Sequence, residues 1–402
     1  MKRAIIALSL LSLFSGWQSY AQKTGFKYDF YGFVRNDFFY SSRLSQTSEE
    51  GSFYLFPLDN NFDPDGKDLN GRGSLNMYNM RTRLGLNVQG INIGQAATSA
   101  NVEVDFRGSG SSIGTLRVRH AYFLLDWGDH SLLLGQTWHP LYGTVSPEIL
   151  DINSGAPYHP DDRAPQVRWR YSTGGVMLTA TAAWQAQNKA NGLSGSSSEY
   201  LTTGCVPELF AGIDYTGKYF TAGAGVEFQS LRMRNSSSSG YKVDERLNTL
   251  SYEIHAKYKK DLFLISAKSF ITSNMTKINT LGGFGYYVSD VKTGEYGYSP
   301  IKISHSWLNL AYGSKVRASL LLGYAKNLGT EKDILLLKGT GTDIDMLYSG
   351  VAGISYNLPH WNIGLEYNMT TAHYGTPDVK ARVQDIHSVT NHRLMLTTQF
   401  SF

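Results

Sequence analysis

The 402-residue chain has little cysteine and little proline: Cys205 is its only cysteine, and it contains 11 prolines. A single cysteine cannot form an intrachain disulfide, which excludes a fold held together by disulfide bridges. After residue 21 no stretch approaches 18 consecutive apolar residues, so a transmembrane helix is also excluded. If the chain crosses a membrane, it must do so as a closed β-barrel, because lipid offers no partner for unpaired backbone groups.

The chain also has little excess of positive over negative charge. Charged residues make up 17% of the chain, and removing Lys2 and Arg3 lowers the 37 basic residues to 35, against 33 acidic ones. A chain so close to neutral has no general attraction for nucleic acid, and we expect no such partner. The sequence also contains no HExxH motif and no Cys/His cluster, so it predicts neither a metalloenzyme nor a structural metal site.

Glycine and aromatic residues are abundant, with 41 Gly, 26 Tyr and 19 Phe, as in proteins with many strands and tight turns. Residues 1–21 predict a secretory signal peptide: Lys2 and Arg3 are basic, residues 4–14 are apolar, and Ser19-Tyr20-Ala21 precedes Gln22. No cysteine follows the cleavage point, so the sequence predicts no lipoprotein anchor. Glutamine directly after this point favours a Bacteroides-like bacterium as the source.

From Lys27 onward, apolar and polar residues alternate in segments of strand length, which is the pattern of transmembrane β-strands. We predict sixteen strands, near residues 27–40, 75–89, 97–108, 113–127, 130–138, 165–173, 175–186, 207–215, 218–232, 245–258, 262–274, 300–313, 316–327, 346–357, 361–373 and 388–402. The predicted fold class of residues 22–402 is therefore all-β: a transmembrane antiparallel up-and-down β-barrel of about 16 strands.

Short turns and long loops alternate between these segments. Turns such as Gly128-Asp129 are followed by long polar loops, at 41–74, 139–164, 187–206, 275–299 and 328–345. This alternation predicts the periplasmic and extracellular rims of a barrel in the outer membrane of a Gram-negative bacterium, in contact with lipid and lipopolysaccharide. The final LMLTTQFSF also ends in an aromatic residue, like the C-terminal signal by which such barrels are recognised for insertion; an ordinary last strand is the alternative.

Arginines fall on one face of several predicted strands. The inward phase contains Arg35, Arg81, Arg83, Arg117, Arg119, Arg168 and Arg170. A lipid-facing arginine at mid-depth costs roughly 2–4 kcal/mol, so these side chains must face a polar lumen. Nearby Asp37, Glu103 and Asp105 offset part of their charge. We predict pore-lining residues that attract anions; the alternative is that they pair with carboxylates and only stiffen the barrel. Strict alternation turns His120 outward, which suggests a β-bulge or a contact between barrels.

Several strands resemble those of the DcaP-like family of trimeric outer-membrane porins. The similar pieces are MRTRLGL (80–86), VEVDFRG (102–108), LRVRHAY (116–122), LLLGQTW (132–138) and APQVRWRY (164–171), in the family's order. The resemblance implies a homotrimer that passes small anionic solutes, dicarboxylates among them. It places Arg81, Arg83, Arg117, Arg119, Arg168 and Arg170 among the lumen-facing basic residues. The periplasmic coiled coil of some members is missing, and His139-Pro140 follows GQTW.

The resemblance also implies that the loop after GQTW folds into the pore. Residues 139–164 contain Pro140, Pro147, Pro157 and Pro160, which make this loop stiff, and we predict that it forms the constriction. His139 and His159 lie in this loop with several aspartates. Hydrogen bonds that hold the loop against the wall are the favoured explanation for these side chains, and metal binding is the alternative.

A loop at 61–68 has the oxygen ligands and central glycine of a calcium loop, with Asp63, Asp65 and Asp68 as candidate ligands. Arg72 stands at the twelfth position, where calcium loops carry glutamate. A solvated turn is therefore favoured over a calcium site, and we predict no other cofactor. Trp127, Trp138 and Trp184 near strand ends predict interfacial aromatic girdles.

The sequence thus predicts a passive, anion-preferring porin without enzyme activity. One alternative is a surface adhesin or carbohydrate-binding barrel that acts through the loops at 41–74 and 275–299. Another is an outer-membrane hydrolase that pairs Ser304 with His305 or His255. A soluble periplasmic β-sandwich is a more distant alternative, because it would leave an apolar face exposed on every strand.

Overall fold

The structure is a computed structural model that describes residues 25–108 and 115–402. Its strands are β1 (Lys27–Ser41), β2 (Ser45–Ser48), β3 (Phe53–Pro57), β4 (Ser74–Tyr78), β5 (Arg83–Gln89), β6 (Ala97–Gly108), β7 (Thr115–Asp126), β8 (His130–Trp138), β9 (Arg163–Thr173), β10 (Val176–Ala183), β11 (Asn191–Gly192), β12 (Gly195–Ser196), β13 (Glu208–Thr216), β14 (Phe220–Arg232), β15 (Arg246–Lys260), β16 (Phe263–Ser273), β17 (Gly282–Asp290), β18 (Glu295–Gly313), β19 (Val316–Gly329), β20 (Leu336–Thr340), β21 (Ile344–Asn357), β22 (Trp361–Pro377) and β23 (Val383–Ser401). The predicted signal peptide at 1–21 lies outside the described residues.

Helical structure is limited to short turns in the described ranges. One α-helical turn, α1 (Glu199–Thr202), lies in a loop, and 3₁₀ turns lie at Pro140–Tyr142 and Thr276–Ile278. Within residues 25–108 and 115–402, no helix is long and apolar enough to cross a membrane.

The strands form a closed antiparallel β-barrel of sixteen strands, which confirms the predicted fold class. The barrel order is β1, β4 with β5, β6, β7, β8, β9, β10, β13, β14, β15, β16, β18, β19, β21, β22 and β23, with β4 and β5 counted as one interrupted strand. The last strand pairs with the first, from Phe33 opposite Ser401 to Ser41 opposite Arg393, so the sheet has no free edge within the wall. Strands β17 and β20 extend the sheet beyond one rim.

Side chains alternate between the two sides of the wall, as the sequence pattern predicts. In β23, Leu394 and Leu396 are exposed on the outside, whereas the neighbouring Arg393, Met395 and Thr397 are buried on the inside. Exposed leucine, isoleucine, tyrosine and phenylalanine side chains cover the outer face of the other barrel strands in the same way. This outer face suits lipid.

Two chain segments occupy the inside of the barrel. One is the loop 139–162 between β8 and β9, which we call the inner loop. The other is the β2–β3 hairpin, whose Phe53, Tyr54 and Phe56 side chains are buried. The sequence predicts a long polar loop over residues 41–74, and this prediction is wrong for the hairpin: Phe56 is buried among inward-facing residues of β18, β19, β21, β22 and β23, and the Phe53 ring lies under the guanidinium of Arg107 on β6.

Candidate functional site

A β-bulge in β7 turns two consecutive residues into the lumen. The β6–β7 register shifts between Glu103 opposite His120 and Val104 opposite Val118, so Arg119 is the extra residue. His120 therefore faces inward, where its Nδ1 lies 3.0 Å from Thr137 Oγ1. The expectation that His120 points outward is wrong, and the bulge suggested as an explanation is present. Because the His120 side chain lies inside the barrel beside Thr137, it does not contact a neighbouring barrel.

The two ends of the inner loop are fixed to the wall by a buried charged cluster. The His139 backbone N–H donates to the Asp162 carbonyl at 3.0 Å, which ties the two ends together. Lys277 Nζ lies 2.8 Å from a carboxylate oxygen of Glu208 on β13 and 3.3 Å from one of Asp162. Burial and the nearby Lys277 lower the pKa of His139 to about 4, so its imidazole is neutral at physiological pH.

Between its ends, the inner loop is held by hydrogen bonds along the far wall. Lys268 donates to the Leu141 carbonyl at 2.7 Å, and Thr144 Oγ1 donates to Asp214 at 2.7 Å. Further along, the Leu150 N–H donates to Glu366 at 2.7 Å. These partners lie on β16, β13 and β22, so the inner loop follows more than half of the barrel circumference.

Close packing also holds the return leg of the loop. Tyr158 is fully buried, and its hydroxyl lies 2.7 Å from Ser349 Oγ. A Cβ on Gly323 would approach the Tyr158 ring to 2.3 Å, so only glycine at this position in β19 lets the ring lie flat against the wall. Between the loop and this side of the barrel only a small cavity of about 10 Å³ remains, lined by Tyr158, Leu321 and Ser349 among others.

All seven predicted arginines lie on the inside of the wall, and four of them are paired with carboxylates. Arg35 pairs with Asp37 at 2.9 Å, Arg81 with Asp151 at 2.7 Å, Arg117 with Asp105 at 2.6 Å and Arg119 with Glu103 at 2.5 Å. Arg81 and Arg35 also bind the inserted segments, since Arg81 donates to the Ser52 carbonyl at 2.6 Å and Arg35 to the Leu150 carbonyl at 2.7 Å. Burial alone would raise the pKa of Asp151, but the adjacent Arg81 lowers it.

Three predicted arginines have no carboxylate oxygen within 4.0 Å among residues 25–108 and 115–402: Arg83, Arg168 and Arg170. The guanidinium carbon of Arg83 lies 5.2 Å from the Phe33 ring centroid. Arg168 donates one hydrogen bond, to the Trp138 carbonyl at 2.6 Å. No carboxylate forms a direct ion pair with these three side chains. Glu103 lines the same cavity as Arg83, and Asp214 and Glu253 line the same cavity as Arg168 and Arg170.

The unpaired arginines line two cavities beside the inner loop. Arg83, with the paired Arg119, His120 and Ile152, lines a cavity of about 340 Å³, which we call the Arg83 chamber. Arg168 and Arg170, with Thr144, Asp214 and His255, line a cavity of about 210 Å³, which we call the Arg168 chamber. A third cavity, of about 410 Å³, lies at the rim beside Gly25 and the turn between β5 and β6. Water and small solutes can occupy cavities of these sizes.

Within residues 25–108 and 115–402, one group of side chains has the donor atoms of a metal site: His139, Glu208 and Glu227, whose ligand atoms lie within 4.8 Å of one another. The residues fit a metal poorly. The Leu141 N–H donates to His139 Nδ1 at 3.3 Å, so a neutral imidazole carries its proton on Nε2, the nitrogen that faces the two glutamates. The ammonium of Lys277 already lies between Glu208 and Asp162. This cluster is therefore an anchor for the loop.

The candidate calcium ligands lie in a turn and are engaged by the protein itself. Asp63 Oδ1 accepts the backbone N–H groups of Asp65 and Lys67, at 2.9 and 2.8 Å. Asp68 pairs with Arg43. The solvated turn explains these contacts, and calcium binding by Asp63, Asp65 and Asp68 stays an untested prediction.

The residues considered for hydrolysis do not come together. Ser304 and His305 are neighbours on β18 and point to opposite sides of the wall; His305 is fully buried, and neither ring nitrogen has a hydrogen-bond partner. His255 has carboxylate oxygens at both ring nitrogens, from Glu253 at 3.0 Å and Asp214 at 2.9 Å. Both ring nitrogens of His255 are therefore engaged by carboxylates, and neither has a hydrogen bond to Ser304.

Several site residues were not predicted from the sequence. Trp138 lies in the lumen and lines both chambers, so its assignment to an interfacial girdle is wrong; Trp127 and Trp184 are exposed. Lys268 and Lys277 are buried anchors of the inner loop. The apolar run 53–57, FYLFP, inside a loop was the available signal for the inserted hairpin.

Solved structures share this fold across almost the whole chain. The outer membrane channel DcaP of Acinetobacter baumannii is 20% identical over 94% of this chain and 97% of its own, with a TM-score of 0.68. The anion-selective porin from Comamonas acidovorans is 11% identical over 94% and 100%, with a TM-score of 0.55. A trimer form of OmpT, an outer membrane protein of Vibrio cholerae, is 11% identical over 94% and 99%, also at 0.55. No family model and no curated protein match the chain.

Proposed function

We propose that this protein is an outer-membrane porin through which small hydrophilic solutes diffuse passively, with a preference for anions. Its fold is that of outer-membrane porins, and its apolar outer face fits the outer membrane of a Gram-negative bacterium. Solutes move along the lumen past the inner loop, which narrows the passage. No covalent chemistry is part of this function.

One observation carries the anion preference: Arg83, Arg168 and Arg170 line open chambers without carboxylate partners among the described residues. A fixed positive charge in a narrow, poorly hydrated passage lowers the barrier for anions and raises it for cations. A guanidinium can also hold a carboxylate through two parallel hydrogen bonds, which suits dicarboxylates as solutes. The four paired arginines add little free charge, so the preference depends on these three.

The test is single-channel recording in a planar bilayer under a KCl gradient. The wild type should give a reversal potential of the sign that indicates anion preference. The triple variant Arg83→Ala, Arg168→Ala, Arg170→Ala should shift the reversal potential toward cation preference, whereas the triple Arg→Lys variant keeps the charge and should keep the sign. An unchanged reversal potential in the alanine variant would contradict the proposal.

We also propose a homotrimer. Its support is the fold shared with a protein solved in a trimer form; His120 no longer contributes, because it faces the lumen. Mass measurement of the intact protein in mild detergent decides the question, and a stable monomer under every gentle condition would exclude the trimer.

Competition of succinate with the chloride current in the same bilayers tests the proposal that dicarboxylates are solutes. Block of the current at millimolar succinate supports this proposal, and the monocarboxylate acetate is the control.

A further inference from the structure

The Arg168 chamber carries opposite charges on different walls. Arg168 and Arg170 line it from β9, and Asp214 lines it from β13. Within residues 25–108 and 115–402, neither guanidinium has a carboxylate oxygen within 4.0 Å, although Asp214 borders the same space. A cavity of about 210 Å³ therefore separates charges that attract each other but do not meet.

Polar atoms on both walls lack partners in the part of the chain that the structure describes. The Arg170 side chain makes no hydrogen bond, and Arg168 uses one nitrogen, which donates to a backbone carbonyl. On Asp214, Oδ1 is engaged by Thr144 and His255, whereas Oδ2 has no partner. Arg168 is only 8% exposed. Polar groups buried to this degree are usually satisfied, so water or a solute must supply the missing partners.

Glycines behind the lining residues keep the centre of the chamber free. A Cβ on Gly223 would approach His255 Nε2 to 2.6 Å, and a Cβ on Gly225 would approach the Phe210 ring to 2.5 Å. These two glycines of β14 therefore let the His255 and Phe210 rings lie flat against the wall. Larger residues would push both rings into the space between the charged walls.

The chamber lies near the rim that carries the short turns. Arg170 is three residues before the end of β9 at Thr173, and Asp214 is two residues before the end of β13 at Thr216. Thr144, on the inner loop, is exposed at the same level. Away from this rim, Phe210 packs in a buried apolar cluster that closes the chamber. A solute that enters from the short-turn rim therefore meets a closed end and can be held there.

The spacing of the walls fits one short solute with a charge at each end. Arg170 is opposite Thr179 on β10, and Thr179 is opposite Gly212 on β13, two residues before Asp214. Two strand spacings separate the backbones of β9 and β13 by about 10 Å. The long arginine side chain fills most of this distance. A carboxylate on Arg170 thus leaves room for an ammonium group at Asp214, where a second carboxylate would be repelled.

We propose that the Arg168 chamber binds a small zwitterion, a solute that carries a carboxylate and an ammonium group, such as a short amino acid. Arg168 and Arg170 hold its carboxylate, and Asp214 Oδ2 accepts a hydrogen bond from its ammonium group. The stacked Trp138 and Tyr142 rings, which line the same chamber, contact its methylene groups. This inference goes beyond the proposed function, because anion diffusion needs no cationic group on the solute and a binding site need not conduct.

Ligand-observed NMR titration of the intact protein in mild detergent tests the zwitterion site. Glycine, β-alanine and 4-aminobutanoate are the probes. The tightest of them is compared with the acid that lacks its ammonium group and with the amine that lacks its carboxylate; for 4-aminobutanoate these are butanoate and butylammonium. We expect the dissociation constant of the zwitterion to be at least about tenfold lower than that of either control, because each control loses a charge-assisted hydrogen bond.

Three variants locate the site. Asp214→Asn keeps the side-chain shape without the charge, so the zwitterion should then bind no more tightly than the acid. Arg170→Gln should weaken binding of the zwitterion and of the acid alike, by about tenfold. Arg170 has no hydrogen-bond partner in the described ranges, so this variant should fold even if Asp214→Asn does not. Arg232→Gln, at the other end of β14, is the matched control and should leave the dissociation constants unchanged.

The outcomes separate this inference from the proposed function. Equal affinity for the zwitterion and its acid, or no binding of any probe, would overturn the zwitterion site and leave the porin proposal intact. Binding of the zwitterion that Arg170→Gln does not weaken would also overturn it, since the site would then lie elsewhere. A protein that binds the zwitterion in the chamber but conducts no current in a bilayer would overturn the porin proposal alone.

Discussion

The two halves of the lumen differ in how closely they are filled. Inward-facing apolar residues of β18 to β23 form the largest apolar cluster of the described residues, together with side chains of the inner loop and the β2–β3 hairpin. Inward-facing residues of β5 to β9 include five of the seven predicted arginines, and cavities remain beside them. We call these the filled half and the open half. Apolar side chains let the inserted segments pack closely on the filled half, whereas in the open half ion pairs and hydrogen bonds hold the loop and cavities remain beside it.

Removing the inner loop should have the largest effect on this comparison. Deleting residues 145–157 takes away the part of the loop that packs on the filled half, and it should raise single-channel conductance several-fold because the passage widens. Shortening the β17–β18 hairpin at 291–294, beyond the rim, is the control and should not change conductance. An unchanged conductance and solute size limit after the loop deletion would show that the loop does not form the constriction.

Arg81 and Arg83 allow a direct comparison of a paired with an unpaired arginine. Arg81→Ala leaves buried Asp151 without its partner and should lower the free energy of unfolding by about 3–5 kcal/mol. Arg83→Ala leaves no carboxylate behind and should change it by less than about 1 kcal/mol. Urea titration followed by tryptophan fluorescence measures both values. Equal losses would mean that Arg83 has a structural partner as Arg81 does.

Leu321 tests the apolar core of the filled half. It is fully buried between the wall and the inner loop, whereas its neighbour Leu320 is exposed on the outer face. Leu321→Ala should lower the free energy of unfolding by about 2–5 kcal/mol through lost burial and a cavity. The matched control Leu320→Ala should cost less, since lipid or detergent fills the space. A smaller loss at Leu321 than at Leu320 would contradict the packing described here.

The buried His159 predicts the smallest effect, a loss of stability in acid. Burial, with Lys268 and His255 nearby, lowers the pKa of His159 well below its usual 6.5. Below pH 6.5 the unfolded chain therefore binds a proton that the folded chain does not, and stability falls by up to about 1.4 kcal/mol per pH unit. His159→Phe keeps an aromatic ring between Tyr142 and Trp307 and should show a flatter pH dependence between pH 6.5 and 5. If the stability of the wild type and of His159→Phe fell equally with decreasing pH, His159 would not be the cause of the loss in acid.

Much of the fold could be predicted from the sequence because each strand carries its own pattern. The alternation of Leu394 and Leu396 with buried neighbours places β23 in the wall, and closure by β1 confirms the strand count. The filled half also has a local signal: the run Leu320, Leu321, Leu322 is apolar on both faces, as in a strand covered on both sides. The β-bulge could only be suspected from the sequence, because its one sign there is that His120 breaks the alternation of polar and apolar residues in β7.

What the sequence determined by itself is the closed barrel, the apolar outer face and the inward direction of the arginines, because a period of two fixes the face of every side chain. Which arginines form ion pairs and which do not depends on contacts between segments that are far apart in the chain. Arg81 meets Asp151 70 positions along the chain, and Arg35 meets the Leu150 carbonyl 115 positions away. Such pairs form when the inner loop docks on the wall, and that docking depends on the combined packing of distant strands, for which no local pattern exists.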